Sequence, residues 1–195
     1  MIERLGNLGA ANPLAFWLAL AACAYFSVMA VRLTVIDVRH HLLPDRIVVP
    51  SYAIVGLLLL GAAASQLLPG GRAIADQAVG GHGVGATGDA GLFGVPGLRV
   101  LAGGAALWLF YFLLHAVYPP GMGFGDVKLA GVLGMYLGFL GWGHVFAGTF
   151  AAFILGGLWS LGLLAARRGN LQSAIPFGPF MLAGTAAAML LIPAA

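Results

Sequence analysis

Two of the six acidic residues adjoin apolar segments, where a charge is costly. Asp37 directly follows the apolar residues 35–36, and Asp126 follows the glycine-rich residues 121–125. An ionised carboxylate at the edge of a hydrocarbon region is expensive and usually serves a function. Two such groups held close together cannot both ionise cheaply, so they share a proton near neutral pH. Such a pair can activate water as a base and protonate a leaving amine as an acid.

The glycines at 121, 123 and 125 remove side-chain bulk immediately before Asp126. A second, extended backbone could therefore approach the carboxyl group, as a peptide must before it is cleaved. An alternative is that Asp126 only caps a helix, since the helix dipole favours an anion at its N-terminus. Glycine is also common in membrane helices. We interpret Gly123 and Gly125 as residues that shape a substrate site.

Lys128 and Asp45 are the other charged residues near these positions. Lys128 is the only lysine of the chain and comes two residues after Asp126. It either influences the ionisation of the aspartates or extends towards lipid headgroups. Asp45 follows Pro44, a helix-breaking residue, so we interpret Asp45 as the N-cap of the next helix rather than as a catalytic group. Both are predicted to shape or border the site.

His40 and His41 lie close to acidic residues and raise the question of a metal. Adjacent histidines in a turn tend to point apart, and no further cluster with zinc-ligand spacing occurs in the sequence. We therefore predict neither a metal nor another cofactor. The acidic residues that remain lie in the N-terminal tail and in a glycine-rich loop, where they can stay in water: Glu3, Asp76 and Asp89.

The composition defines the class of protein that must position these groups. Of 195 residues, 61% are hydrophobic and only 8% are charged. A soluble domain has roughly 45–50% apolar and about 25% charged residues, and a globule of this size cannot bury such an apolar excess. This excludes a soluble globular protein, a disordered chain and a nucleic-acid-binding module. The single cysteine excludes a disulfide scaffold.

Apolar segments of membrane-spanning length predict an all-α, polytopic membrane protein with about six transmembrane helices in one domain. Their approximate bounds are 14–36, 47–68, 100–118, 127–140, 145–166 and 177–191. Residues 69–97, rich in glycine and alanine, are predicted to form an extramembrane linker. The small-residue pairs Gly131/Gly134 and Gly156/Gly157 are expected to let helices approach closely.

The distribution of basic residues predicts the orientation. Five follow spans one, three and five, and three lie on the opposite side: first Arg39, Arg46, Lys128, Arg167 and Arg168, then Arg4, Arg72 and Arg99. The positive-inside rule makes the first side cytoplasmic. Asp37 and Asp126 are then both at the cytoplasmic membrane face, although they are far apart in sequence.

Three ordered motifs resemble the type IV prepilin peptidase family, which belongs to the GxGD intramembrane aspartyl proteases. They are Asp37-x-Arg39 with Leu43-Pro44-Asp45, then Gly123-Phe124-Gly125-Asp126-Val127-Lys128, and finally Ile175-Pro176-Phe177-Gly178-Pro179-Phe180. The resemblance implies that Asp37 and Asp126 are the catalytic aspartates. It also implies cleavage of basic leaders from prepilin-like proteins, before their hydrophobic helix, at the cytoplasmic face of the inner membrane.

The sequence departs from the bifunctional members of that family. Those carry an N-terminal extension with paired Cys-x-x-Cys motifs and an N-methyltransferase activity, whereas Cys23 is the one cysteine here. We therefore expect a peptidase-only member. An alternative is a small proton- or cation-coupled transporter that uses Asp37 and Asp126 as a relay. The sequence has no evident internal repeat, and both aspartates are predicted at one face rather than at mid-membrane, which favours the peptidase.

Overall fold

The computed structural model describes residues 12–40, 45–65, 96–119, 122–166 and 177–192. Within these ranges the secondary structure consists of helices and contains no strand. The helices are α1 (Pro13–His40), α2 (Asp45–Ser65), α3 (Pro96–Val117), α4 (Phe124–Leu140), α5 (Trp142–Ala165) and α6 (Gly178–Leu191). The predicted all-α fold is confirmed, and each predicted span corresponds to one of these helices.

The chain is an all-α, polytopic membrane protein. Four of the described helices, α1, α2, α3 and α5, are long and apolar enough to cross a membrane. The other two are shorter, with 17 residues in α4 and 14 in α6. The linker predicted at 69–97 extends too far, because α3 already begins at Pro96, where proline suits the first turn of a helix. The rest of that linker lies outside the described residues.

The short helix α4 lies at the centre of the described helices. Every residue from Asp126 to Leu140 is buried except Lys128, and α4 contacts α2, α3, α5 and α6. Its neighbours carry large exposed apolar side chains instead, such as Leu57 and Phe146, as lipid-facing helices do. A helix that is apolar on all sides is suited to burial within a protein. Asp126 therefore begins a helix that is surrounded by protein.

Glycines hold α3 and α4 in backbone contact. A Cβ atom added to Gly103 would lie 2.6 Å from the Gly134 carbonyl oxygen, and one added to Gly138 would collide with the Arg99 backbone. The close approach predicted at Gly134 is thus confirmed, because only residues without a Cβ permit it. In the pair Gly156/Gly157, a Cβ at Gly156 would lie 3.0 Å from the Phe177 ring, whereas one at Gly157 would meet no described atom within 4 Å.

Polar side chains connect α1 to the helices beside it. The Tyr136 hydroxyl of α4 donates a hydrogen bond of 2.8 Å to the Ala22 carbonyl of α1. The hydroxyls of Tyr25 and Ser51 join α1 to α2 across 2.8 Å. Such hydrogen bonds satisfy polar groups that a hydrocarbon environment cannot. They fix α1, which ends in the residues around Asp37, against α2 and α4.

Candidate active site

The structure brings Asp37 and Asp126 together at one end of the helices. Asp37 lies in the last turn of α1 and Asp126 in the first turn of α4. Their exposed fractions are only 4% and 6%, and the two carboxyl groups are close enough to interact electrostatically. The sequence predicted a common membrane face from the number of spans alone, and the structure places both residues at the same end of the helices. Two buried carboxyl groups in this arrangement can serve as a general acid and a general base.

The first turn of α4 fixes the Asp126 carboxyl group through one of its oxygens. Gly123 is the N-cap and has extended backbone angles, φ −67° and ψ 142°. The Asp126 amide donates to the Gly123 carbonyl across 3.0 Å, and the Gly123 backbone hydrogen-bonds the Asp126 carboxyl group. In a capping box, the side chain of the third helical residue hydrogen-bonds the backbone of the N-cap residue, and Asp126 makes that contact with Gly123. The sequence left helix capping open as the alternative role of Asp126, and the structure bears that capping out.

Capping does not use the whole carboxyl group. Oδ1 of Asp126 is buried and has no hydrogen-bond partner among the described residues. A buried carboxylate oxygen with no partner is costly, so a structural cap alone does not account for it. The geometry leaves Oδ1 able to accept a proton from water or donate one to a substrate. The Asp126 carboxyl group therefore keeps one oxygen that no described residue engages.

The structure gives little reason for glycine at the positions before Asp126. A Cβ at Gly123 would lie 3.8 Å from Asp126 Oδ2, which is ordinary van der Waals contact. Crowding by the described residues therefore does not require glycine at that position. Gly121 lies outside the described residues. That Gly123 and Gly125 shape a substrate site stays a prediction.

Lys128 and Asp45 form an ion pair with each other. The Lys128 Nζ atom lies 2.8 Å from both carboxylate oxygens of Asp45, the first residue of α2. The sequence proposals for Lys128, an influence on the aspartates or a headgroup contact, did not include this partner. The N-cap interpretation of Asp45 likewise missed that its side chain reaches α4. The pair joins residues 83 positions apart in sequence.

Sequence reasoning did not associate two residues of α3 with the region around Asp126. Tyr111, only 1% exposed, interacts electrostatically with Asp126. One turn later, His115 Nδ1 donates a 2.8 Å hydrogen bond to the Met122 carbonyl, just before the N-cap of α4. Their i, i+4 spacing near the end of α3 is the signal that could have found them, since such residues share one helix face.

The absence of a metal site stays a prediction. The described residues contain no group of three or more histidine, cysteine or acidic side chains that could hold a metal ion. The side chain of His40 and the whole of His41 lie outside them.

The fold and the site together define a polytopic helical membrane protein with a buried aspartate pair at one end of its helices. The family model of the type IV leader peptidases matches residues 23–161, a range that contains both aspartates. This chain belongs to the type IV leader peptidase family.

Three relatives named prepilin leader peptidase/N-methyltransferase illustrate the similarity. The protein from Aeromonas salmonicida is 30% identical over 166 residues, covering 85% of this chain and 47% of the relative. The Xanthomonas campestris protein is 27% identical over 80% of this chain and 44% of the relative. The Pseudomonas aeruginosa protein is 29% identical over 76% and 42%, respectively. The chain thus spans about half the length of these curated relatives. No solved structure matches the chain significantly.

Proposed function

We propose that this protein is an aspartyl endopeptidase of the inner membrane that removes the leader from prepilin-like proteins. The observation that carries the proposal is the buried pair of Asp37 and Asp126, with Asp126 Oδ1 hydrogen-bonded to no described residue. Membership of the leader peptidase family supports the same conclusion. Relatives that carry this activity in their names match the chain over most of its length.

In the proposed mechanism the two aspartates hold one water molecule and share one proton. The ionised aspartate removes a proton from the water, whose oxygen attacks the scissile carbonyl carbon. The protonated aspartate gives its proton to the carbonyl oxygen, so a neutral gem-diol forms. The first aspartate then protonates the amide nitrogen, the C–N bond breaks, and a diol hydroxyl returns its proton to the second aspartate. The pair ends with the single proton with which it began.

The position of the pair suits a substrate that is half in water and half in lipid. A basic leader stays in the aqueous phase, whereas the hydrophobic segment after it enters the bilayer. The bond between them therefore lies at the membrane surface, and Asp37 and Asp126 lie at helix ends rather than at helix centres. Exposed Arg39 and Arg46 near the same helix ends support a cytoplasmic orientation.

The test is cleavage by the purified full chain in detergent, with a prepilin-like protein as substrate. Asp37→Asn and Asp126→Asn keep the side-chain volume but cannot carry out proton transfer, so each should abolish cleavage while the protein still inserts and folds. Asp89→Asn, in the segment between α2 and α3, is the matched control and should cleave normally. Sequencing the new N-terminus locates the cut, and the mass of the cleaved product reveals any methylation.

Two results would overturn the proposal. One is robust cleavage by purified Asp126→Asn. The other is proton flux into liposomes that requires Asp37 and Asp126 but no peptide, which would indicate a relay instead of a peptidase.

A further inference from the structure

The start of α4 has little internal support for a segment that must hold a reactive group. Its N-cap, Gly123, has no side chain with which to cap the helix, so the capping contact there comes from the Asp126 carboxyl group itself. N-terminal helical turns leave several backbone donors without an intrahelical partner and are prone to fraying. The turn that carries Asp126 must therefore be held from outside, if its carboxyl group is to stay in one position.

Lys128 connects this turn to α2 through its side chain and its backbone, and its ammonium group also contacts Phe124 within α4. Its ammonium group makes the 2.8 Å contacts to both oxygens of Asp45. The same ammonium lies 5.2 Å from the centre of the Phe124 ring, at cation–π distance. The Lys128 carbonyl accepts a hydrogen bond of 2.5 Å from the Tyr52 hydroxyl. Both the side chain and the backbone of Lys128 are thus attached to α2.

Lys128 cannot act by direct contact with the carboxyl group of Asp126. Successive helical residues are rotated by about 100°, so residues two apart project to nearly opposite sides. In agreement, Asp126 is buried, whereas the side chain of Lys128 is 26% exposed and that of Asp45 is 63% exposed. The ion pair therefore acts on the turn and not on the reacting atoms.

The position of Asp45 relates the ion pair with Lys128 to Asp37, the second aspartate of the site. Asp45 begins α2 and comes eight residues after Asp37 in the sequence. A carboxylate in the first turn of a helix is stabilised by the helix dipole, so Asp45 is a well-placed acceptor. The helix that follows Asp37 in the chain thereby holds the helix that carries Asp126.

We propose that Asp45 and Lys128 form a positioning clamp that holds the first turn of α4, and with it Asp126, in the geometry needed for cleavage. The inference rests on the proposed peptidase function for its kinetic consequences. The clamp supplies position more than overall stability, because exposed ion pairs contribute little to the free energy of unfolding. Displacing a catalytic group slightly, by contrast, can lower the rate strongly.

Neutral and swapped variants test the clamp by kinetics. Asp45→Asn and Lys128→Gln should each lower kcat by about tenfold or more, with little change in KM. Lys128→Arg keeps the ion pair and should retain most of the activity. The double variant Asp45→Lys with Lys128→Asp should recover kcat to within about threefold of the unmodified chain, given the unfavourable dipole at the new lysine. Arg46→Gln removes an exposed charge next to Asp45 and is the matched control.

Hydrogen–deuterium exchange tests the clamp without any substrate. Amides in the first two turns of α4 should exchange several-fold faster in Asp45→Asn and Lys128→Gln than in Arg46→Gln. If the unmodified chain cleaves nothing, the proposed function fails, whereas this exchange measurement still decides whether the clamp exists. Unchanged exchange in both neutral variants overturns the clamp. A raised KM with no recovery in the swapped variant also overturns it, since Asp45 would then be binding the basic leader.

Discussion

Replacing Gly134 by alanine should separate α3 from α4 and disturb the site at the start of α4. A Cβ at this position would lie 2.8 Å from the Gly103 carbonyl carbon and 2.9 Å from the Gly104 Cα. Ordinary contact begins at 3.4 Å, and the atoms in the way belong to backbone, which cannot rotate aside as a side chain can. The two helices must therefore move apart by about 0.5 Å or more, as overpacked interiors do.

The size of the effect follows from that displacement. Overpacking of this kind costs about 1–3 kcal/mol, which for a chain of this length corresponds to roughly 2–12 °C in the midpoint of thermal unfolding. The separation also shifts the helix that begins with Asp126, so cleavage should fall by about tenfold or more. Gly138→Ala should act in the same direction, because its Cβ would collide with the Arg99 backbone.

Gly157→Ala is the matched control, since it makes the same chemical change inside α5. No described atom lies within 4 Å of the Cβ it would add. Alanine has the higher helix propensity by about 1 kcal/mol, so this variant should be as stable as the unmodified chain or slightly more stable. Thermal unfolding in one detergent, followed by cleavage at a fixed temperature, compares the variants. If Gly134→Ala matches Gly157→Ala in both measurements, the inferred backbone contact is wrong.

Two further predictions concern the contacts around the start of α4. A Cβ at Gly131 would collide with the Tyr52 hydroxyl. Gly131→Ala should therefore lower the unfolding temperature more in the unmodified chain than in a Tyr52→Phe background. Equal losses in both backgrounds would contradict this contact. His115→Leu removes the donor to the Met122 carbonyl and should cost about 1 kcal/mol of stability, with a fall in cleavage. His115→Asn carries an amide donor and should retain part of the stability and part of the cleavage. Identical behaviour of the two variants would show that the hydrogen bond is unimportant.

The general arrangement of the helices could be predicted from the sequence because lipid imposes it. A spanning helix needs a long apolar run, so the lengths of such runs locate the helices to within a few residues. The count of spans then assigns each helix end to one side of the membrane. This reasoning alone placed Asp37 and Asp126 at a common face, and in the structure the two residues are close enough to interact electrostatically.

The contacts between helices could not be predicted in the same way. Gly134 and Gly157 give the same signal in sequence, yet one contacts the backbone of α3 and the other contacts no described atom. The Asp45–Lys128 pair depends on how α2 rotates against α4, and hydrophobic periodicity does not specify that rotation for helices that are apolar nearly all round. Tyr52 and Tyr111 were overlooked for a related reason, because each contributes a single polar atom within an apolar run.

The burial of α4 explains how an aspartate can remain at this depth. Because α4 contacts several other helices, the Asp126 carboxyl group lies inside the protein and does not face lipid. The same burial requires α4 to be fixed by its neighbours: by α3 through backbone contact at Gly134, and by α2 through Lys128. Substitutions at either contact should therefore lower kcat without removing a reacting group. A loss of binding with unchanged kcat would instead indicate that these contacts shape the substrate groove and do not position Asp126.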